Sequence, residues 1–309
     1  LTIADTVVDI RECTCSATGC LFAKHDLILE NTNGSFHGVT NCFGTLGAFE
    51  NVESSDLNTG YVYVRNSSLT ATEIHSPTGY GGLAYAGRDI HIIGSTVDFA
   101  HAEVRWGGFM FADEDIFVQE STLVVRDSVG FPAGMRAKDL QLTDVRYVFL
   151  NSSGGTTGAI GGNSATIIRS HIIVEDVYVV DRGSAIDLDY LLVMEDSVLE
   201  AVRCTAGGGD SVLRVKTDDL GTVPSGATRL GMFLHNSSIT TTNTTTAGNF
   251  GGSLRSEHGV LLNASSLSLS HGVGGAGGCL FTGGSLDLVG VSRVEATGCS
   301  GAGSGSGVV

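Results

Sequence analysis

Apolar and polar positions alternate over short distances along this chain, and the alternation recurs. Residues 116–125, IFVQESTLVV, set Ile116 and Val118 on one side of an extended backbone, break at Glu120 and Ser121, and resume with Leu123 and Val125. The pattern returns in VYVRNSSLTA from Val62, IHIIGSTVDF from Ile90, LLVMEDSVLE from Leu191, MFLHNSSITT from Met232 and VLLNASSLSL from Val260. With the first apolar residue as position 1, copies begin at Leu1, Leu27, Val62, Ile90, Ile116, Leu140, Ala165, Leu191, Met232, Val260 and Leu286. The usual spacing is about 26 residues, a repeat-protein period.

Position 3 is aliphatic in every copy: Ile3, Leu29, Val64, Ile92, Val118, Leu142, Ile167, Val193, Leu234, Leu262 and Leu288. Position 6 is Ser or Thr at Thr6, Thr32, Ser67, Ser95, Ser121, Ser170, Ser237 and Ser265. Period-two alternation on both sides of a polar step predicts a strand, a bend and a second strand. A third strand is predicted after glycine corners, as in GGLAY at Gly81, GGFMF at Gly107, GAI at Gly158, GSAIDL at Gly183, GGSL at Gly251 and GGCLF at Gly277. Three short strands per period leave no room for a crossover helix. Each copy is therefore predicted to be one coil of an all-β parallel β-helix of about eleven coils, in which equivalent aliphatic positions stack into interior columns. The expectation is a single β-helix over residues 1–309, a slice of a longer array, with expanded loops near 42–56 and 217–231.

The three-strand coil, the aliphatic and Ser/Thr columns and the GG-apolar corners resemble the right-handed parallel β-helix of the pectin-lyase-like superfamily. The GGL, GGF and GGC corners are similar to those of non-catalytic, repeat-rich surface proteins of the polymorphic-membrane-protein type, although the FxxN half of that signature is absent. The resemblance implies the winding and the architecture; activity varies within such folds.

Composition narrows the function classes. The chain has 309 residues, 44 Gly, 3 Pro and a formal charge of −16. An excess of acidic groups disfavours nucleic acid as a partner. No apolar run approaches the length of a membrane-spanning helix. Asn33, Asn66, Asn151, Asn236, Asn243 and Asn263 begin N-x-S/T sequons, which predicts an extracellular or cell-surface glycoprotein carrying N-linked glycans. The competing reading is that Asn and Ser suit polar bends. Of the seven cysteines all but Cys204 cluster toward the two ends, and in that compartment Cys20 with Cys42 and Cys279 with Cys299 are disulfide candidates. Cys13-x-Cys15 has no second pair at zinc-ligand spacing, so no zinc site is expected.

Two constellations bear on chemistry. Asp218-Asp219, Glu257-His258-Gly259 and Arg293 resemble, in order, the paired Asp, Gly-His-Gly and Arg-x-Lys of polygalacturonases; Glu257 replaces a glycine and no Arg-x-Lys follows. Asp89, Asp115 and Asp139 precede position 1 in consecutive copies. Stacked carboxylates make calcium the candidate cation there, with a solvated ladder as the alternative. No catalytic or cofactor-binding residue is assigned. The expected function is a non-catalytic structural or adhesive β-helical rod in a surface protein or filament, meeting further copies of itself or adjoining coils end to end. The alternative is a β-helix that binds or cleaves acidic glycans.

Overall fold

Two bends per copy shape the backbone. At the first, residues such as Asn31, Asn66, Glu120, Asp196 and Asn236 take positive φ, and at the second Glu73, His101, Asp127, Asn151, Arg203 and Asn243 do the same. Asn and Asp are the side chains that tolerate this left-handed conformation best after glycine. Each bend reverses the inward or outward sense of the next residue, which lets a buried Ser or Thr follow an exposed Asn or Asp. The computed structural model describes all residues except 16–18, 43, 49–59, 107, 132, 209–210, 217–229, 248–251, 276–277 and 302–309. Most of both expanded loops, Asp218, Asp219 and the glycine corners at Gly107, Gly251 and Gly277 therefore lie wholly or partly outside the described residues.

The chain divides into two compact units, Leu1–Gly154 and Gly155–Val309. Each is a parallel β-solenoid, and every regular element among the described residues is a strand. In the first unit, Thr2–Ala4, Leu27–Glu30, Val62–Arg65, Ile90–Ile93 and Asp115–Gln119 form one ladder that the end of Met135–Thr143 continues. Its register joins Ile3, Leu29, Val64, Ile92, Val118 and Leu142 in a single column. From Leu29 onward the column is buried. Second strands stack likewise, with Val97, Leu123 and Tyr147 in register. Phe99, Phe109, Tyr147 and Phe149 fill the interior, with the Phe99 and Phe109 rings 5.3 Å apart.

In the second unit the same column runs Ile167, Met194, Leu234, Leu262 and Leu288. Met194 takes the place expected for Val193, and the copy begins at Leu192 rather than Leu191. The cause is a register shift between Gly162 and Ser164, where Ile186–Glu195 accommodates one extra residue before its inward-facing part. The correction also brings Ser197 into the Ser/Thr column.

A fourth short segment follows the second bend. It is a strand of its own at Val129–Gly130, Ser153–Gly154, Tyr178–Val179 and Thr205–Ala206, and is merged with the second strand in Asn33–Thr40 and Thr96–Trp106. Counted over both units there are about 9 turns rather than eleven. In the outermost copies Leu1 is 56% exposed, Leu288, within Leu286–Val289, is 51% exposed and Val291 is 96% exposed, so these copies are less buried than the inner ones.

Candidate functional site

The solvent side of the first strands in the first unit carries a column of rings that the sequence reading did not single out. Tyr63, His91 and Phe117 occupy position 2 of consecutive copies, so strand register places them over one another. Their centroids are 4.7 and 4.8 Å apart, the strand spacing, and Tyr61 extends the stack at 5.8 Å from Tyr63. The Arg65 guanidinium lies 5.1 Å from the Tyr63 centroid and Arg88 lies 5.2 Å from that of Tyr61, both within cation–π range. Burial in the stack pulls His91 below the usual imidazole range, against the opposing pull of Asp89, so the ring is neutral at pH 7.

The acidic column lies at the edge of this face. Asp89 Oδ1 accepts the Asp115 backbone N–H at 3.1 Å, and Asp115 Oδ1 accepts that of Asp139 at 3.2 Å. Asp26 does the same for Tyr61 at 3.3 Å. Each carboxylate thus satisfies a donor of the next coil. Partial burial raises the Asp115 pKa against the lowering effect of the hydrogen bond from the Asp139 backbone, and the neighbouring carboxylates of Asp139, Asp89 and Glu114 add to the rise. Lys138 binds both oxygens of Glu114 at 2.7 Å beside the column.

On the second-strand side of the same unit, His37, His75 and His101 face Glu73, Glu103 and Asp127 at 3.4, 3.1 and 3.9 Å. Glu73, His75, His101 and Glu103 line an open cleft of about 520 Å³, and the solvent exposure of the three pairs limits each to about 0–1 kcal/mol. In the second unit an open cleft of about 390 Å³ lies along the first bend, lined by Asp196, Asn236, Ser237, Ala264 and Arg293 among others.

Four of the six sequon asparagines, Asn66, Asn151, Asn236 and Asn243, sit at positive φ. All but the half-buried Asn263 are exposed, Asn33 included. Asn151 Nδ2 donates to Asp127 Oδ1, and Asn236 Nδ2 to Asp196 Oδ1, each at 2.6 Å. In the four sequons whose Asn is at positive φ the buried column residue (Ser67, Ser152, Ser237, Thr244) is the middle one, so the left-handed bend accounts for the Asn but not for the Ser or Thr two residues on.

The cysteines pair differently from the expectation at one end. Cys279 bonds Cys299, but Cys13 bonds Cys20 and Cys15 bonds Cys42, so Cys20 and Cys42 are not joined to each other. The reason is stacking. Thr14 bridges to Thr40 of the next coil, which draws Cys15 alongside Cys42. Cys204 is a buried thiol whose pKa burial pushes up to about 12.

The polygalacturonase-like order does not assemble among the described residues. Glu257 holds Arg255 across a corner, while Arg293 lies on a second strand and pairs with Glu295. A buried charge group was also missed. Asp187, Arg214 and Arg255 are register neighbours, 4%, 3% and 9% exposed. Arg214 binds Asp187 directly, with Arg182 at 4.0 Å. Burial raises the Asp187 pKa to about 6 in spite of Arg214. The alternation of Asp187 with Ile186 and Leu188 was the available signal. No protein-family model, curated protein or solved structure matches the chain.

Proposed function

We propose that the chain is a structural or adhesive β-helical segment of an extracellular or cell-surface protein or filament, without catalysis. One observation carries this reading: among the described residues, the outward polar groups pair from coil to coil along the ladders instead of converging on a common point. Asn31 binds Asp5, Arg126 binds Asp98, Arg203 binds Asp176, and the Asp89 and Asp115 carboxylates hold backbone of the next coil. Such an exterior repeats a surface rather than building a reaction centre. Three disulfides and the exposed sequons fit an oxidising compartment and N-linked glycans. Among known architectures the right-handed winding of the pectin-lyase-like superfamily is the one this coil resembles, in the style of its repeat-rich surface members. Leu288, Val289 and Val291 are exposed in or just after a strand that has one partner among the described residues, an edge suited to a second copy. Sedimentation velocity tests the association: the protein should assemble with rising concentration, and Val291→Asp should weaken that assembly. A wild type that stays monomeric throughout overturns it.

The second reading, a β-helix that binds or cleaves acidic glycans, is favoured by the ring column of Tyr61, Tyr63, His91 and Phe117 with Arg65 and Arg88 beside it. Calcium has a place only here, bridging Asp89, Asp115 and Asp139. Release of sugar from a polyuronide, abolished by a calcium chelator, would establish this reading and end the first.

A further inference from the structure

Cys13, Cys15, Cys20 and Cys42 stand far apart in sequence for a metal site, yet their four sulfurs lie within 4.8 Å of one another. Three separate backbone anchors bring them together. Cys13 and Cys15 flank Thr14 on extended backbone, so their side chains leave the same face. Both are fixed to the next coil, the Cys15 N–H donating to the Thr40 carbonyl at 3.0 Å and the Thr40 N–H to the Cys13 carbonyl at 2.8 Å. Cys20 precedes Leu21–Ala23, which is held by the Leu21 N–H on the Thr45 carbonyl. Cys42 follows Asn41, whose positive φ turns the backbone, and its carbonyl accepts the Ser76 hydroxyl from one coil further.

The distances between sulfurs of different disulfides are informative. Cys13 to Cys15 is 3.7 Å, Cys15 to Cys20 is 4.0 Å and Cys20 to Cys42 is 3.6 Å. A tetrahedral tetrathiolate zinc centre, with Zn–S of about 2.3 Å, has sulfur–sulfur edges of about 3.8 Å. The Cys279–Cys299 pair offers a control within the same molecule, since no third sulfur joins it among the described residues. Cys42 is buried and the other three are half-buried, which shields a centre while leaving an entry path.

We infer that, when reduced, these four cysteines form a tetrathiolate site for a single zinc ion, an alternative closure of the same end coils that the two disulfides otherwise make. The chemistry balances with a thiol or phosphine reductant. Each disulfide takes up two electrons and two protons to give two thiols, and binding one Zn²⁺ releases the four thiol protons and leaves a centre of charge −2. Soft thiolate ligands in a tetrahedral set select zinc over the hard cations considered for the carboxylate column. This site is independent of the function proposed above, which concerns the outer surface.

The test is a cobalt titration of the full chain kept in a phosphine reductant, with Co²⁺ as the spectroscopic probe. Reduced protein should bind one equivalent, developing a thiolate-to-cobalt charge-transfer band and the intense visible bands of tetrahedral cobalt, both bleached by one equivalent of Zn²⁺. The Cys279→Ser/Cys299→Ser variant should keep these bands, whereas Cys15→Ser/Cys42→Ser should lose them. Should that second variant not fold, alkylation of the wild type replaces it: zinc should protect the four clustered cysteines from iodoacetamide but leave the half-buried Cys299 reactive. Reduced wild type without the charge-transfer band, bands that survive in Cys15→Ser/Cys42→Ser, or zinc that fails to protect the four thiols would each overturn the inference.

Discussion

Ala264 holds a left-handed conformation at φ 49° in a column where most other copies use Asn, Asp or Gly. An alanine there forgoes about 1–2 kcal/mol relative to an unstrained residue, while glycine at that site loses about 0.4–1 kcal/mol through the freedom it adds to the unfolded chain. Ala264→Gly is therefore expected to stabilise the protein modestly, by about 0.5–1 kcal/mol in a denaturant titration. Asp187 makes the opposite kind of prediction. Its folded pKa of about 6 exceeds the ordinary carboxylate value because burial penalises the anion. The protonated form is thus favoured in the folded state, so its contribution to stability is full below about pH 4 and is lost as pH rises through about 6. A shift of this size corresponds to roughly 2–3 kcal/mol. Subtracting the pH–stability curve of Asp187→Asn from that of the wild type should leave a fall between about pH 4 and 6, and a flat difference would contradict the assignment.

At the scale of the strand and its bend, the Ser/Thr column holds adjacent coils together. The Ser67 N–H donates to Ser95 Oγ at 3.1 Å, and the Ser95 N–H to Ser121 Oγ at 3.0 Å, while Ser95 Oγ itself donates to the Ile93 carbonyl at 2.8 Å. The second unit repeats the arrangement from Ser170 through Ser197, Ser237 and Ser265 to Ser292. Ser95→Ala leaves the buried Ser67 N–H unsatisfied and should cost about 1–3 kcal/mol. Ser95→Thr, which keeps a hydroxyl at the position that Thr32 occupies in its own copy, should restore most of the loss. This column and the position-3 column were legible in the sequence, because a solenoid gives every coil the same inside and the repeat writes it eleven times. Position 2 was less legible. Tyr63, His91 and Phe117 share no residue type, and only the parallel register turns them into a stack. Leu191 and Leu192 are both apolar, so the one-residue shift was hidden until Asp196 and Ser197 took their places at the bend. The cysteine cluster was invisible as a spacing motif because Cys42 reaches Cys15 through coil stacking rather than along the chain.

For the whole molecule, a charge of −16 opposes any association of copies. Self-assembly through the exposed edge at Leu288 and Val291 should strengthen with ionic strength, since about 0.15 M salt already shortens the reach of surface charge to about 8 Å. Light scattering over a salt series checks this, and assembly that weakens with salt would point to ion pairing in place of apolar edge contacts. All of these expectations depend on coils lying in parallel register with equivalent side chains in continuous interior columns. An experimental density map at side-chain resolution tests that directly. It should place Val64, Ile92, Val118 and Leu142 in one buried file at the strand spacing of about 4.8 Å, with Tyr63, His91 and Phe117 stacked outside. Antiparallel pairing, or Ile92 and Val118 in separate layers, would contradict the account.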